Sequence, residues 1–226
     1  MPSIKKETAG EAMIWTLRNT KGNELKVTNL GARVVSMRFR DKDFKNNFVL
    51  KESSVLVDGG SDFEKILWQA EELIEGVKFT AQLGDKKAGV LYSLSNDNEI
   101  SIIYESAGVA DISAEMIFTL PEADVRACQK GAAWEKISAE KIFPVTQPAE
   151  VEMELGMFGY DPGCPIDYLD AGLKNATNIF SAPASIEIIV YATQDKIHAK
   201  AVEGGFALKT SGSDKGQTVY MLKNRK

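Results

Sequence analysis

The sequence predicts an all-β, antiparallel fold. Three observations carry this reading: short runs rich in Val, Ile, Thr and Leu, turn residues between them at close spacing, and alternation of apolar with polar residues inside the runs. Residues 13–18, 24–30 and 33–40 are the first three runs, parted by Lys21-Gly22-Asn23 and by Gly31-Ala32. Residues 77–83, 90–94 and 99–105 continue the pattern, with Gly84-Asp85 and Asn96-Asp97-Asn98 as turns. In the last of these, Ile100, Ile102 and Tyr104 alternate with Ser101, Ile103 and Glu105, a period of two that buries one face more deeply. Residues 185–192 and 217–222 read as late strands.

Two stretches depart from the β pattern. Phe63, Ile66, Leu67, Ala70, Leu73 and Ile74 recur at helical spacing behind a capping residue, Asp62, which predicts a helix there. Residues 121–142 are Ala- and charge-rich and are a second candidate helix, while Pro, Gly and Asp between 160 and 172 predict a loop at the rim of a β core. No repeat and no Pro-, Gly- or Ser-rich linker divides the 226 residues, so a single domain over 1–226 is expected.

Composition narrows the function. At 44% hydrophobic and 26% charged residues, the chain has the make-up of a globular protein with a sizeable core. A net charge of -5 without a basic cluster argues against a nucleic-acid partner. No apolar run approaches the roughly 20 residues of a membrane span, and Met1–Gly10 lacks the apolar core of a secretory signal, so a cytoplasmic location is expected. Oligomeric state is not legible.

Few residues offer chemistry. His198 is the single histidine, which excludes mechanisms and metal sites needing two. It lies in an alternating stretch and reads as a side chain on a sheet face; a nucleophilic dyad with Cys128 or Cys164 is the alternative. The two cysteines are far apart without a CxxC pairing and read as free thiols. Asp161, Asp167 and Asp170 lack the spacing of a calcium loop and read as solvated carboxylates, so neither metal nor cofactor is expected. Gly59-Gly60 does not have the spacing of a phosphate loop. Trp68 reads as core, while for Trp134, in an Ala-rich neighbourhood, core packing and an exposed ring both stay open.

Several segments, in order, resemble the aldose 1-epimerase (galactose mutarotase) family. Leu25-Lys-Val-Thr-Asn-Leu-Gly-Ala-Arg-Val-Val-Ser36 resembles its N-terminal signature, in which a strand ends in Thr-Asn-x-Gly-Ala and turns directly into the next. Gly31 would supply the tight turn and Ala32 a close start for the following strand. Residues 41–50 resemble the family's loop-and-strand segment, Trp68 its "lW.v" strand, and 89–104 its "vtYtLs.dneL.i.Y" hairpin. Tyr160-Asp161 resembles its "YD" pair and Gly205-Phe-Ala-Leu208 its "GfcLE" strand. The resemblance implies a two-layer antiparallel β-supersandwich with few or short helices, a carbohydrate-binding groove on one sheet, and a strand in place of the helix at Trp68.

The departures bear on activity. The strand matching "TnHsYFNL" is Ser113-Ala-Glu-Met-Ile-Phe-Thr-Leu120, so Glu115 stands where the family has its catalytic histidine. Lys209 stands where the family has its catalytic glutamate, and Asp161 matches the substrate-binding aspartate. The segment between Lys51 and Trp68 is shorter than the family's, which removes its substrate-binding arginine and first histidine. Mutarotation needs a base at the anomeric hydroxyl and an acid at the ring oxygen. A lysine ordinarily titrates near 10.4 and a glutamate near 4.3, so a lysine base and a glutamate acid are each in the wrong state at neutral pH. The resemblance therefore implies a divergent member that binds a monosaccharide or sugar derivative, with Asp161 and Trp134 as substrate-binding residues and Glu115 and Lys209 at the substituted catalytic positions. An epimerase with a rebuilt site, acting on a sugar or sugar phosphate, and a non-enzymatic interaction module are the alternatives.

Overall fold

The computed structural model describes residues 3–40, 46–60, 62–74, 76–109, 111–119, 125–128, 135–136, 141–144, 173–181, 185–194, 196–202, 205–210 and 214–224. The first part of the chain forms β1 (Ser3–Ala9), β2 (Ala12–Arg18), β3 (Glu24–Thr28), β4 (Arg33–Arg40) and β5 (Asn46–Val57). After a single 3-10 turn at Phe63–Lys65 come β6 (Gln69–Glu72), β7 (Gly76–Leu83), β8 (Lys86–Leu94), β9 (Glu99–Ala107) and β10 (Ile112–Phe118). Three short strands follow, β11 (Val125–Cys128), β12 (Glu135–Lys136) and β13 (Lys141–Pro144). The last five are β14 (Lys174–Ser181), β15 (Ile186–Ala192), β16 (Lys196–Val202), β17 (Gly205–Thr210) and β18 (Lys215–Asn224). The all-β, antiparallel expectation holds.

Among the described residues the strands form two nine-stranded sheets. The first runs β1-β2-β3-β4-β5-β10-β17-β16-β13, the second β12-β11-β14-β15-β18-β9-β8-β7-β6. One core unites them, with Leu25, Val27, Met37 and Phe206 from the first sheet and Val90, Ile102, Tyr104 and Tyr220 from the second, all at most 1% exposed. Trp15 and Phe79 meet edge to face across the two layers, centroids 5.4 Å apart. The hydroxyl of Tyr92 donates to the carbonyl of Ala32 at 2.7 Å, tying β8 to the start of β4. Trp68 is core, 2% exposed, its indole N–H donating to the Phe63 carbonyl at 2.8 Å.

The helix predicted across 62–74 is absent. Asp62 makes no side-chain capping bond, and Ile66 is already extended at φ -105°, ψ 158°. The backbone of 66–68 is engaged elsewhere: the Gly31 N–H donates to the Ile66 carbonyl, the Trp68 N–H donates to the Asn29 carbonyl, and Leu30 bridges Leu67. The apolar residues do not form a buried stripe either, since Leu67 is 47% and Ile74 89% exposed. Pairing with the β3–β4 turn outweighs local helical propensity. The described parts of 121–142 are also strands, because β11 pairs with β14 and β12 rather than coiling on itself.

Among the described residues, the Tyr220 hydroxyl is one of four buried side-chain polar atoms without a hydrogen-bond partner, with Arg38 Nε, Arg40 Nε and Gln194 Nε2. The Tyr220 hydroxyl sits in the core with no hydrogen bond among the described residues. An unpaired buried hydroxyl costs about 1–3 kcal/mol, so Tyr220→Phe should leave stability unchanged or raise it by about 1 kcal/mol in urea denaturation. A loss of stability would show that the hydroxyl is satisfied.

Candidate functional site

Strand register places the substituted residues side by side. In the β10–β17 pair, Glu115 is the direct partner of Lys209. On its other side Glu115 opposes Ser54 of β5, and Lys209 opposes His198 of β16, which in turn opposes Ile142 of β13. Ser54, Glu115, Lys209 and His198 thus form one row across four strands. The residues flanking them, Val55, Met116, Leu208, Ile197 and Ala199, are buried in the core, so strand alternation turns the row away from it. With adjacent strands about 4.8 Å apart, Glu115 and His198 lie about 10 Å from each other across Lys209. Among the described residues Glu115 and Lys209 form no ion pair, although their backbones are paired.

A cavity of about 240 Å³ opens beside Glu115, lined by Gly31, Arg33, Ser53, Ser54, Glu64 and Ile117. Its shape follows from the Thr-Asn-x-Gly-Ala turn. Gly31 has φ 69°, a conformation glycine takes without penalty, and Ala32 follows at φ 46°. An added Cβ at Gly31 would lie 2.6 Å from the Glu64 carbonyl oxygen, so only glycine lets the 3-10 turn pack this close. That contact brings Glu64 to the rim, while the turn delivers Arg33 as the first residue of β4. Ser53 braces the wall by accepting the Val34 N–H at 2.6 Å. Arg33, Glu64 and Glu115 therefore offer one cation and two carboxylates, with Ser54 as a neutral donor and acceptor. Among the described residues none of these three charged side chains is held in an ion pair.

The structure sorts the sequence candidates. Glu115 and Lys209 are brought together. Asp161 and Trp134 lie outside the described residues, as do Cys164, Asp167 and Asp170. His198 lies on the face of the first sheet turned away from the core, and Cys128 is in a strand of the second sheet. His198 was legible as a sheet-face residue, but its place beside Lys209 was not, because cross-strand register is a long-range property. Arg33, Ser54 and Glu64 were also missed; only Arg33 carried a signal, its place directly after Gly31-Ala32. Among the described residues no group of three or more His, Cys, Asp or Glu is placed to hold a metal ion, and no helix is long and apolar enough to cross a membrane.

No family model and no curated protein matches the sequence. Solved structures do match. An aldose epimerase homologue from C. elegans superposes with a TM-score of 0.62 at 11% identity, covering 100% of both chains. A galactose 1-epimerase from Lactobacillus acidophilus NCFM gives 0.59 at 12% identity, covering 100% of this chain and 99% of its own. A putative mutarotase from Salmonella typhimurium gives 0.58 at 9%, covering 98% and 94%. Coverage of nearly the whole of each chain, at TM-scores of 0.58 to 0.62, establishes that this protein has the aldose 1-epimerase-like fold.

Proposed function

We propose that the protein binds a monosaccharide or a sugar derivative at the Glu115 cavity and does not use the mutarotase acid–base pair. The observation that carries this is the direct pairing of Glu115 with Lys209 beside a cavity of about 240 Å³. Carboxylates at Glu64 and Glu115 accept hydrogen bonds from sugar hydroxyls, and Arg33 donates to them, with Lys209 beside Glu115 on the next strand. An ammonium group has no lone pair with which to take the anomeric proton, so Lys209 cannot replace a carboxylate base while it is charged. Arg33 gives the cavity a guanidinium although the segment that holds the family's arginine is shortened. Asp161 and Trp134 belong to the same proposal as an acceptor and a stacking platform.

Titration calorimetry with galactose, glucose and their phosphates and uronic acids tests this. At least one should bind, and Glu115→Ala and Arg33→Ala should each weaken it at least tenfold, about 1.4 kcal/mol. Binding that ignores both substitutions, or no binding by any of these sugars, removes the reading.

A second reading has a specific observation behind it. His198 stands next to Lys209 in the row that contains Glu115. A carboxylate and an imidazole on opposite sides of a sugar would supply a base and an acid suited to neutral pH, with roles redistributed among strands. The polar character of the row does not favour an apolar interaction face.

A further inference from the structure

The second sheet carries a larger hollow, whose wall residues Ile66 and Leu67 come shortly after Glu64 of the Glu115 cavity. Register places Gln69 of β6, Thr80 of β7, Gly89 of β8 and Glu105 of β9 in one line across four strands. Gln82, Lys87 and Ala107 form the next line of that face. Phe79, Val90 and Tyr104, adjacent in sequence to the first line, are at most 1% exposed and point into the core, so both lines face away from it. Gly89 interrupts the first line with no side chain, and Ala107 leaves the second low. The result is a cavity of about 600 Å³ over the strands, with Leu67, 47% exposed, as an apolar wall.

We infer that this hollow is a second ligand site, for a neutral oligosaccharide. Its volume of about 600 Å³ falls within the roughly 300–1,000 Å³ of sites that enclose small molecules, and it is more than twice that of the cavity at Glu115, about 240 Å³. The charged lining residues, Lys87 and Glu105, are opposite in sign, and Glu105 is already engaged by Lys78 at 2.8 Å. The formal charges of the lining itself sum to zero, and Lys87, in no ion pair among the described residues, is left to donate to a ligand oxygen. The remaining polar lining is amide and hydroxyl, from Gln69, Thr80, Gln82 and Ser106, groups that both donate and accept and so match a line of sugar hydroxyls. Leu67 and the missing side chain at Gly89 leave an apolar wall and a flat floor for the C–H faces of the rings. Gly89 has an ordinary strand conformation, so its lack of a side chain is not demanded by the backbone; an added Cβ would meet the flexible Glu105 side chain at 3.1 Å.

Calorimetric titration with maltotriose, cellotriose and a galactose trisaccharide tests this site separately from the one at Glu115. At least one trisaccharide should bind to the intact protein. Leu67→Asp, at an exposed position, should weaken it at least tenfold, and Gly89→Leu, which fills the floor, should do the same. Glu115→Ala should leave the affinity within twofold. Failure of all three to bind at millimolar concentration overturns the inference, as does binding unmoved by Leu67→Asp or lost in Glu115→Ala. Circular dichroism establishes that Gly89→Leu folds; if it does not, Leu67→Asp decides. Failure here leaves monosaccharide binding at Glu115 untouched, since that is read from different variants.

Discussion

Gly31→Ala should lower stability by about 3 kcal/mol, a fall of about 6–12 °C in Tm for a chain of this size. Two costs combine. Alanine at φ 69° pays the left-handed backbone penalty of roughly 1–2 kcal/mol. Its Cβ would also stand 2.6 Å from the Glu64 carbonyl oxygen and 2.9 Å from the Glu64 Cα, backbone atoms that have no rotamer to move into. Overpacking of that kind costs about 1–3 kcal/mol. Gly84 is an internal control: it has φ 63° and nothing within 4 Å of its Cβ position. Gly84→Ala should therefore cost only the backbone part, about 1–2 kcal/mol. Thermal denaturation of the two variants isolates the Glu64 contact, and equal losses would contradict it. Because Glu64 lines the cavity, Gly31→Ala should also weaken any ligand bound there.

Glu99→Gln should abolish a pH dependence of stability and raise Tm at pH 8 by about 6–12 °C. Glu99 begins β9 and is only 7% exposed. Burial pushes its carboxyl from 4.5 up to about 7; Asp97 adds to the rise, while the Ser95 hydroxyl, Lys223 and Lys21 oppose it. The folded protein therefore holds this proton where the unfolded chain has lost it. Between pH 4.5 and about 7 the native state binds more protons, so stability falls as pH rises through that window and is level above it. The gap between 4.5 and about 7, at about 1.4 kcal/mol per pH unit, amounts to about 3 kcal/mol. Glutamine keeps a polar partner for Ser95 and carries no charge. The position couples to a junction between the sheets: Asn98, immediately before it in the chain, accepts from Asn23 at 2.6 Å and Asn19 at 3.1 Å, locking the β2–β3 turn onto the β8–β9 turn. Urea denaturation at pH 5 and pH 8 reads the effect. Equal slopes in the parent and in Glu99→Gln would show that this carboxyl does not control it.

The strands were largely legible because their signals are local. Residues 33–40 match β4 outright, and Gly31, Gly84 and Asn98 all take positive φ at turns marked by composition. The false helix at 62–74 shows the limit of periodicity. Its apolar spacing is real, but Leu67 and Ile74 face solvent and the backbone of 66–68 pairs with the β3–β4 turn, which no local window contains. The same limit applies to the site. Family resemblance pointed to Glu115 and Lys209, and register pairs them. Ser54 and His198 join the row only through pairings of β5 with β10 and β16 with β17, and Glu64 reaches the cavity only through its contact with Gly31. Each depends on residues distant in sequence meeting with a definite register.

In the proposed reading, an aldose 1-epimerase-like fold keeps a sugar cavity while Glu115 and Lys209 stand in place of its catalytic pair. NMR exchange between the α and β anomers of galactose and glucose, measured with and without the protein, tests it most directly. Interconversion is expected at the rate of buffer alone. Acceleration that disappears in Glu115→Ala or Lys209→Ala would contradict it, and loss in His198→Asn as well would assign the rebuilt acid–base pair to the row.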